Sequence, residues 1–538
     1  MSAEVKEDRG ERQGAARRGP SLFRAAGLVS ALTMLSRILG LVRELVFAAL
    51  LGAGFHADAF QVAFRIPNLV RDLFAEGALS AAFVPTYARV LHQEGRTAAH
   101  RLASLLFTIV GVVLAALVGL AILFASPLVA ALAPGFDEVP GKSDLTVFLT
   151  RVMLPFLPLV SFAAIAMGML NAEERYGPPA VAPALFNVVT ILVGAALWAA
   201  GLPLDVVVLG WSLGTLLGGV AQFLVQVPPL WRSGWRFRPV WSLRDPGLVA
   251  IFRLMAPATV GLAAVQLNLF VSTIFASHQP GAVSWLQYAF RLLYLPIGIF
   301  GVALGTVATA TLARRASAGD REGMTSTLVE SLRLLAFLTL PATVGLAVLA
   351  RPIVRLLYER GRFTSADTEA TAYAVALYSI GLVAYTGVKV LAPAFYVLGS
   401  PRVPLTASAL AVGTNVAVIL ALNDRLGYGA IALGTSLGSL LNALLLIVTF
   451  ERRVGGLLGR SLASGLARMA AAAVMMAPAA YLAAEALETR FGTRGIVTQL
   501  VTGLVPVAVG VLVYGAAALA LRVPEAERVT RALFRRRT

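Results

Sequence analysis

Ser36–Arg89 reads SRILGLVRELVFAALLGAGFHADAFQVAFRIPNLVRDLFAEGALSAAFVPTYAR, apolar enough to enter a bilayer yet carrying Arg37, Arg43, Glu44, Asp58, Arg65, Arg71, Asp72 and Glu76. An Arg, Lys or Asp at the centre of a membrane helix costs about 2.5–3.5 kcal/mol even on the gentlest insertion scale. Several of them facing lipid would together cost on the order of 10 kcal/mol, comparable with the whole stability of a domain. They must face one another or a wet interior. Charge held inside an apolar coat is the pattern of a transport pathway.

The rest of the chain agrees. It has 538 residues, 58% hydrophobic and only 14% charged, where a soluble protein carries roughly 25% charged residues. The fold class is therefore all-α and polytopic, a chain that crosses a membrane many times. With 0 Cys there are no disulfides or thiolate ligands, and the 4 His are scattered without metal-ligand spacing. The net charge of +17 sits mainly in short loops and at the two ends, which reads as topology control and not as a nucleic-acid footprint.

At about 20 apolar residues per crossing, about fourteen transmembrane helices are expected. They fall near 27–51, 59–91, 102–127, 145–171, 179–200, 204–229, 247–276, 282–313, 327–350, 369–398, 403–423, 428–451, 462–487 and 496–521. Residues 1–24, polar and Arg-rich, read as a disordered cytoplasmic tail, and 523–538 as a basic cytoplasmic one. With both termini inside, the inner loops include WRSGWRFRPVWSLRDP (231–246), ARRASAGDR (313–321) and ERRVGGLLGR (451–460). The outer loops GAGFHAD (52–58), PGFDEVPGKSD (134–144) and SHQPGAVS (277–284) are poor in Lys and Arg, as the positive-inside rule requires. RPIVRLLYERGRF (351–363), with Arg351, Arg355, Arg360 and Arg362, breaks the rule.

The chain also repeats. Ala63-Phe64-Arg65 recurs as Ala289-Phe290-Arg291, Leu209-Gly210-Trp211-Ser212-Leu213-Gly214 as Leu433-Gly434-Thr435-Ser436-Leu437-Gly438, and the prolines before Asn187 resemble those before Asn415. All three pairs share an offset of roughly 225 residues, as duplicated halves should. Six helices per repeat, an even number, would insert both halves the same way up, with a shared site at their interface. Two pseudo-symmetric six-helix lobes are expected at 25–230 and 247–453, joined by the basic loop 231–246, with the last two helices (461–522) outside the repeat.

Two enzyme look-alikes are set aside. Gly210–Gly214 and Gly434–Gly438 fit the G-x-S-x-G elbow, but they sit inside apolar helical spans, where small residues serve close packing. GFDEVPGKS (135–143) resembles a phosphate loop but lacks its spacing and its preceding strand. In the second span, Asp58, Arg65 and Asp72 are seven apart and share a face, with Asn68 and Glu76 near the same stripe and Arg71 about 100° away. Pro67 should kink this helix, and Gly77 and Pro85 offer further bending points. In the first span Arg37 and Glu44 share a face, with Arg43 to one side. Internal pairing, Arg37 or Arg65 with Glu44 or Asp72, would merely lock helices together. Cations outnumber acids once Arg291 and Lys389 are added from later helices. Surplus guanidinium forks suit an anionic substrate such as a diphosphate.

These residues resemble a family. SRILGLVRE, DAFQVAFRIPNLVRDLFAEGALSAAFVP, NAEERYGPPAVAPALFN (171–187), YAFRLLYLPIGIFGVALGTV (288–307), ERGRFTSADT (359–368) and KVLAPAFY (389–396) are similar to the MurJ/MviN lipid II flippases of the MATE-like exporter superfamily. The resemblance implies two six-helix lobes in a V, a C-terminal helix pair forming a lipid-tail groove, and location in the bacterial cytoplasmic membrane. It also implies flipping of the undecaprenyl-diphosphate-linked peptidoglycan precursor, lipid II, from the inner to the outer leaflet. Carried over by motif, Arg37, Arg43, Arg71 and Arg291 are the cavity arginines, with Asp58 opening DAF and Lys389 opening KVLAPAFY. The chain departs from relatives at Phe290 and Tyr294, where acids stand in some, at Arg65, where some have Lys, and at Asp72, where some have a basic residue.

Alternating access follows, with the arginines holding the diphosphate while the polyprenyl chain stays in lipid. The membrane potential drives an anion outward by about 2.3 kcal/mol per charge per 100 mV. No cofactor is expected; Na+ or H+ would add drive, and Asn415, Asn423 and Asp424 are candidates for an ion site. The expected partners are lipid II, membrane lipids and wall-synthesis proteins, with the chain a monomer. A multidrug or polysaccharide exporter of the same fold is the alternative, and a cationic-drug exporter would need surplus cavity carboxylates. A purely structural scaffold would pair every charge. An enzyme is least favoured, since no span holds a nucleophile beside a base.

Overall fold

The computed structural model describes residues 4–71 and 79–535, with side chains at 27, 29–69, 71, 79, 82–255 and 266–531. Asp72, Glu76 and Gly77, a charge and two hinge candidates of the second span, lie outside the described residues. The described residues are almost wholly helical and include no strand. Ten helices are long and apolar enough to cross a membrane, or eleven when a pair bent by 45° counts as one crossing. Each of the fourteen expected spans falls on a helix or on consecutive helices, but 27–51, 59–91 and 247–276 are not among those ten or eleven. The first carries Arg37, Arg43 and Glu44. The second is described as Phe55–Arg71 and Leu79–Gln93, with 72–78 outside the described residues. The third is apolar in two shorter stretches, Pro246–Met255 and Gln266–Ser277.

The chain divides into two units. The first comprises 1–51, 59–131 and 140–263. Its helices are α1 (Glu4–Leu51), α2 (Phe55–Arg71), α3 (Leu79–Gln93), α4 (Arg96–Leu123), α5 (Ala125–Leu132), α6 (Lys142–Met153), α7 (Phe156–Ala172), α8 (Gly177–Ala200), α9 (Leu204–Leu224), α10 (Val227–Arg232) and the start of α11 (Pro246–Ser277). α1 takes in the leading segment expected to be disordered, where Ala, Glu and Arg are strong helix formers. α2 continues through Pro67 to Arg71. The core gathers Phe83, Tyr87, Leu105, Phe107, Met169, Trp235 and Ile251. The boundary expected at 231–246 does not separate the units, because this loop folds back on α4. Trp235 Nε1 donates to Ser104 Oγ at 3.2 Å, and the Val240 amide to Thr108 Oγ1 at 3.2 Å.

The second unit comprises 52–58, 132–139 and 264–538. α12 (Ala282–Pro296) passes through a π-helical turn (Ile297–Val302) into α13 (Ala303–Ser317). There follow α14 (Arg321–Val348), α15 (Ala350–Tyr358), α16 (Ser365–Ser379), α17 (Leu382–Val397), α18 (Arg402–Leu426), α19 (Gly429–Arg453), α20 (Arg460–Phe491), α21 (Ile496–Ala520) and α22 (Pro524–Arg535). The bent pair is α16 and α17. A break at membrane depth frees backbone carbonyls that lipid cannot satisfy. Here Ser436 Oγ of α19 donates to the Leu377 and Tyr378 carbonyls at 2.8 and 3.0 Å.

Three of the four arginines that broke the positive-inside rule are engaged. Arg355, 5% exposed, meets Glu359 at 3.6 Å and Glu488 at 2.7 Å, Arg351 pairs with Glu369, and Arg360 donates to the Leu356 carbonyl.

The glycine pairs of the two enzyme look-alikes pack helices together. A Cβ at Gly210 or Gly214 of α9 would meet Leu197 or Val193 of α8 at 2.7 or 2.8 Å. One at Gly434 or Gly438 of α19 would meet Asn415 Oδ1 or the Ala411 carbonyl of α18, both at 2.5 Å. The duplication extends to two buried asparagines. Asn187 of α8 donates to the Ser36 carbonyl of α1 at 3.1 Å, and Asn415 of α18 donates to Asn268 of α11 at 2.7 Å. Gly438→Ala should therefore cost about 1–3 kcal/mol by overpacking and lower the melting temperature in detergent. Gly515→Ala, with open space around its Cβ, should leave it unchanged.

Candidate functional site

In the first unit the charged residues rise from α1 and α2. Glu44, 6% exposed, needs a cation to be ionised in this setting. Arg43 supplies one: Nη2 lies 2.7 Å from Glu44 Oε1, and the guanidinium stands over the Phe186 ring at 5.2 Å. Neither pairing considered for Glu44 from face geometry, with Arg37 or Arg65, involves this partner. Adjacent residues project about 100° apart, but the long arginine stem spans the difference. Phe186 continues into an aromatic row through Phe156 (5.9 Å), Phe64 (5.4 Å) and Phe60 (5.7 Å). Arg37 is exposed, while Arg65, Asn68 and Arg71 are half-buried and Pro67 is buried.

The second unit contains a different arrangement. α12 begins at Gly281, whose φ of +88° suits glycine and which has no side chain to cap the helix. The orphan amides of a helix start need an acceptor, and Asp58 provides it from a distant part of the chain. Its Oδ2 accepts from the Gly281 amide at 2.8 Å. Its Oδ1 accepts from the Ser284 amide at 2.9 Å and from Ser284 Oγ at 2.6 Å. Asp58 is fully buried, at 0% exposed. The structure thus gives Asp58 a helix N-terminus to hold, not the substrate contact expected from its motif. Arg291 lies on the same helix, about 15 Å along from Gly281 at 1.5 Å per residue, and is half-buried. Lys389 of α17 is exposed, and a Cβ at Gly305 would stand 2.7 Å from its carbonyl, so α13 and α17 approach closely there.

Loops expected on the outer side interlock around Asp58. Tyr288 donates to the Gly52 carbonyl at 2.7 Å, the Gly135 amide to Ser277 Oγ at 3.0 Å, and His278 meets Glu138 at 2.8 Å. Gly52, at φ +65°, lies so near the Arg362 carbonyl that a Cβ would approach it to 2.6 Å. None of Gly52, Gly281, Ser284 or Tyr288 stood out in the sequence. The glycine before Ala282, at a helix start without its own capping side chain, was the available signal.

Phe290 sits among the rings of Tyr294 (5.9 Å), Tyr378 (5.5 Å) and Tyr385 (6.1 Å). An aromatic cluster thus stands where some relatives carry an acid. The ion-site candidates are not gathered. Asn415, 1% exposed, gives its amide to Asn268 and Ser272 and accepts from Thr435. Asn423 is about 12 Å further along α18, and Asp424 is exposed. The phosphate-loop look-alike holds no phosphate cradle. Its Lys142 is buried at the start of α6, 1% exposed.

Residues 47–502 match the family model described as lipid II flippase MurJ. The chain is 37% identical over 441 residues to a lipid II flippase MurJ of Burkholderia cenocepacia, covering 80% of this chain and 84% of that one. It is 36% identical over 434 residues to a probable lipid II flippase MurJ of Vibrio cholerae, covering 79% and 82%. A solved lipid II flippase MurJ in an inward closed conformation superposes with a TM-score of 0.76 at 24% identity, over 92% of this chain and 99% of that one. An inward-facing multidrug resistance MATE family transporter superposes with a TM-score of 0.67 at 16% identity, over 80% and 98%; both likenesses speak for the fold.

Replacing Asp58 by Ala should cost about 2 kcal/mol, between an ordinary helix cap and a set of charge-assisted hydrogen bonds. Asp58→Asn should be nearly as damaging, because its NH2 would face the Gly281 amide. Ser284→Ala, which removes one bond of three, should cost about 1 kcal/mol. Thermal unfolding of the purified variants measures the order.

Proposed function

From the premise that this chain belongs to the lipid II flippase MurJ family, we propose that it carries the undecaprenyl-diphosphate-linked peptidoglycan precursor from the cytoplasmic to the outer leaflet. The observation that carries the reading is the sign of the accessible charge. On the helices concerned, Arg37 and Lys389 are exposed and Arg43, Arg65, Arg71 and Arg291 half-buried, whereas the acids Glu44 and Asp58 are buried and engaged. Among the described residues of these helices, what a ligand can reach is positive. A diphosphate answers that chemistry, since each guanidinium can take two phosphate oxygens. A cationic drug does not.

The cycle is alternating access driven by differential affinity. Arg37, Arg43, Arg71 and Arg291 are the diphosphate ligands, and Arg65 and Lys389 add positive field. The lipid tail stays in hydrocarbon, along the C-terminal helices α20 and α21. An anion leaving a negative interior gains about 2.3 kcal/mol per charge per 100 mV, so the membrane potential favours outward delivery. In this reading the protein sits in the bacterial cytoplasmic membrane with both termini inside and acts as a monomer.

Depletion in the native bacterium should trap lipid II in the inner leaflet, and plasmid-borne variants then report on residues. Arg43→Ala alone would strand buried Glu44, a loss of about 3–5 kcal/mol, and would confuse folding with function. Arg43→Ala with Glu44→Gln removes that penalty, and this double variant should fold and fail to flip. Arg291→Ala should lower flipping about 10- to 100-fold, the worth of one charged hydrogen-bonding group. Full flipping by the folded double variant would remove Arg43 from the mechanism.

A further inference from the structure

α12 carries four aromatic residues, and three of them are occupied in packing. Trp285 lies 5.3 Å from the Tyr428 ring and donates to Asp367 at 2.9 Å, and Tyr288 is fully buried beside Tyr358. Phe290 is surrounded by the rings of Tyr294, Tyr378 and Tyr385. Tyr294 closes that cluster on one side only. Its ring is tilted 52° against Phe290, and the residue is 54% exposed.

The open side of α12 here is the side of Arg291. Arg291 is half-buried and Tyr294 and Leu295 are exposed, while Leu292, Leu293 and Ile297 are buried. A guanidinium at membrane depth is costly against hydrocarbon, so the side it occupies is a wet one. Tyr294 follows Arg291 by about 60° around the helix and about 4.5 Å along it. Exposed tyrosines also gather in the interface belts at the ends of membrane helices. Tyr294 stands in a helical run from Ala282 to Ser317, about 20 Å from its first residue and about 35 Å from its last. Interfacial anchoring therefore does not account for it.

We infer that Tyr294 is a specificity-determining residue, its open ring being the platform for the first sugar of the cargo. A pyranose has a face of C–H bonds, and these positively polarised hydrogens pack on the negative face of an aromatic ring. A sugar joined to a phosphate through one oxygen follows it directly, as Tyr294 follows Arg291 on the helix. The inference rests on the reading of Arg291 as a diphosphate ligand and deepens it. Guanidinium forks take the diphosphate of any such lipid, whereas a ring beside them favours a lipid that carries sugar. Phe290, held by Tyr378 and Tyr385, fixes the ring in advance, so little side-chain freedom is lost on binding.

The test compares lipids that share the diphosphate and differ in sugar. Purified full-length protein is titrated with lipid II, with the single-sugar precursor, and with undecaprenyl diphosphate, and binding is read by native mass spectrometry. Tyr294→Leu keeps apolar bulk against Phe290 but has no ring face. It should weaken both sugar-bearing lipids about 3- to 10-fold and leave undecaprenyl diphosphate unchanged, and Tyr294→Phe should restore the sugar-bearing lipids. Unchanged affinity of Tyr294→Leu for lipid II would overturn the inference and leave the diphosphate site standing. An equal loss for all three lipids would overturn it too, since the ring would then serve only the shape of the site. A loss with lipid II but not with the single-sugar precursor would overturn the assignment to the first sugar. Failure of the unaltered protein to bind any of the three would overturn the transport reading itself, and the platform with it.

Discussion

Hydrocarbon supplies neither counter-ions nor hydrogen bonds, so each charge and each broken turn in this chain has to be answered from within. Most of the architecture follows from how that demand is met. Glu44 is answered by the guanidinium beside it, Arg355 by Glu359 just past α15 and Glu488 of α20, and the break between α16 and α17 by a serine of α19. The start of α12 is answered by a carboxylate from elsewhere in the chain. Acids are thereby used up as structure. Among the described residues of α1, α2, α12 and α17, the accessible remainder is positive.

How much of this was legible depended on the range of the interaction. Crossings and repeats are local or periodic, and most could be read directly: eleven of the expected spans fall on helices or a bent pair long and apolar enough to cross, and both glycine pairs taken for packing motifs do pack. What escaped was long-range. Hydropathy sums over a window and cannot see that a span bends at Gly381. Facing rules offered Glu44 Arg37, two turns away, or Arg65 of the next helix, while the cation that meets it at 2.7 Å is its neighbour Arg43. Asp58 looked like a ligand because it opens a motif shared with the resembling family. Its real neighbours, Gly281 and Ser284, are more than two hundred residues away in the chain and carry no charge to mark them.

The duplicated halves share more than an outline. In each, a pair of glycines lets two helices close on one another, and a buried asparagine ties one of them to the helix that opens the half. An amide suits this position in a membrane protein: it is uncharged, yet its donors and acceptor must be met, so it fixes the rotation of a helix about its axis. The two halves have since diverged at the same contact. Asn187 meets a backbone carbonyl, whereas Asn415 meets a second asparagine and a serine.

Most helices carry their first-turn acceptor within the adjoining residues, so it travels with them. α12 borrows its acceptor from the 52–58 loop. Withdrawing that loop would leave a bare ion and a row of bare amides where a dry contact had been. The 52–58 loop and α12 are therefore bound to one another as a single piece, far apart in sequence yet inseparable without that cost.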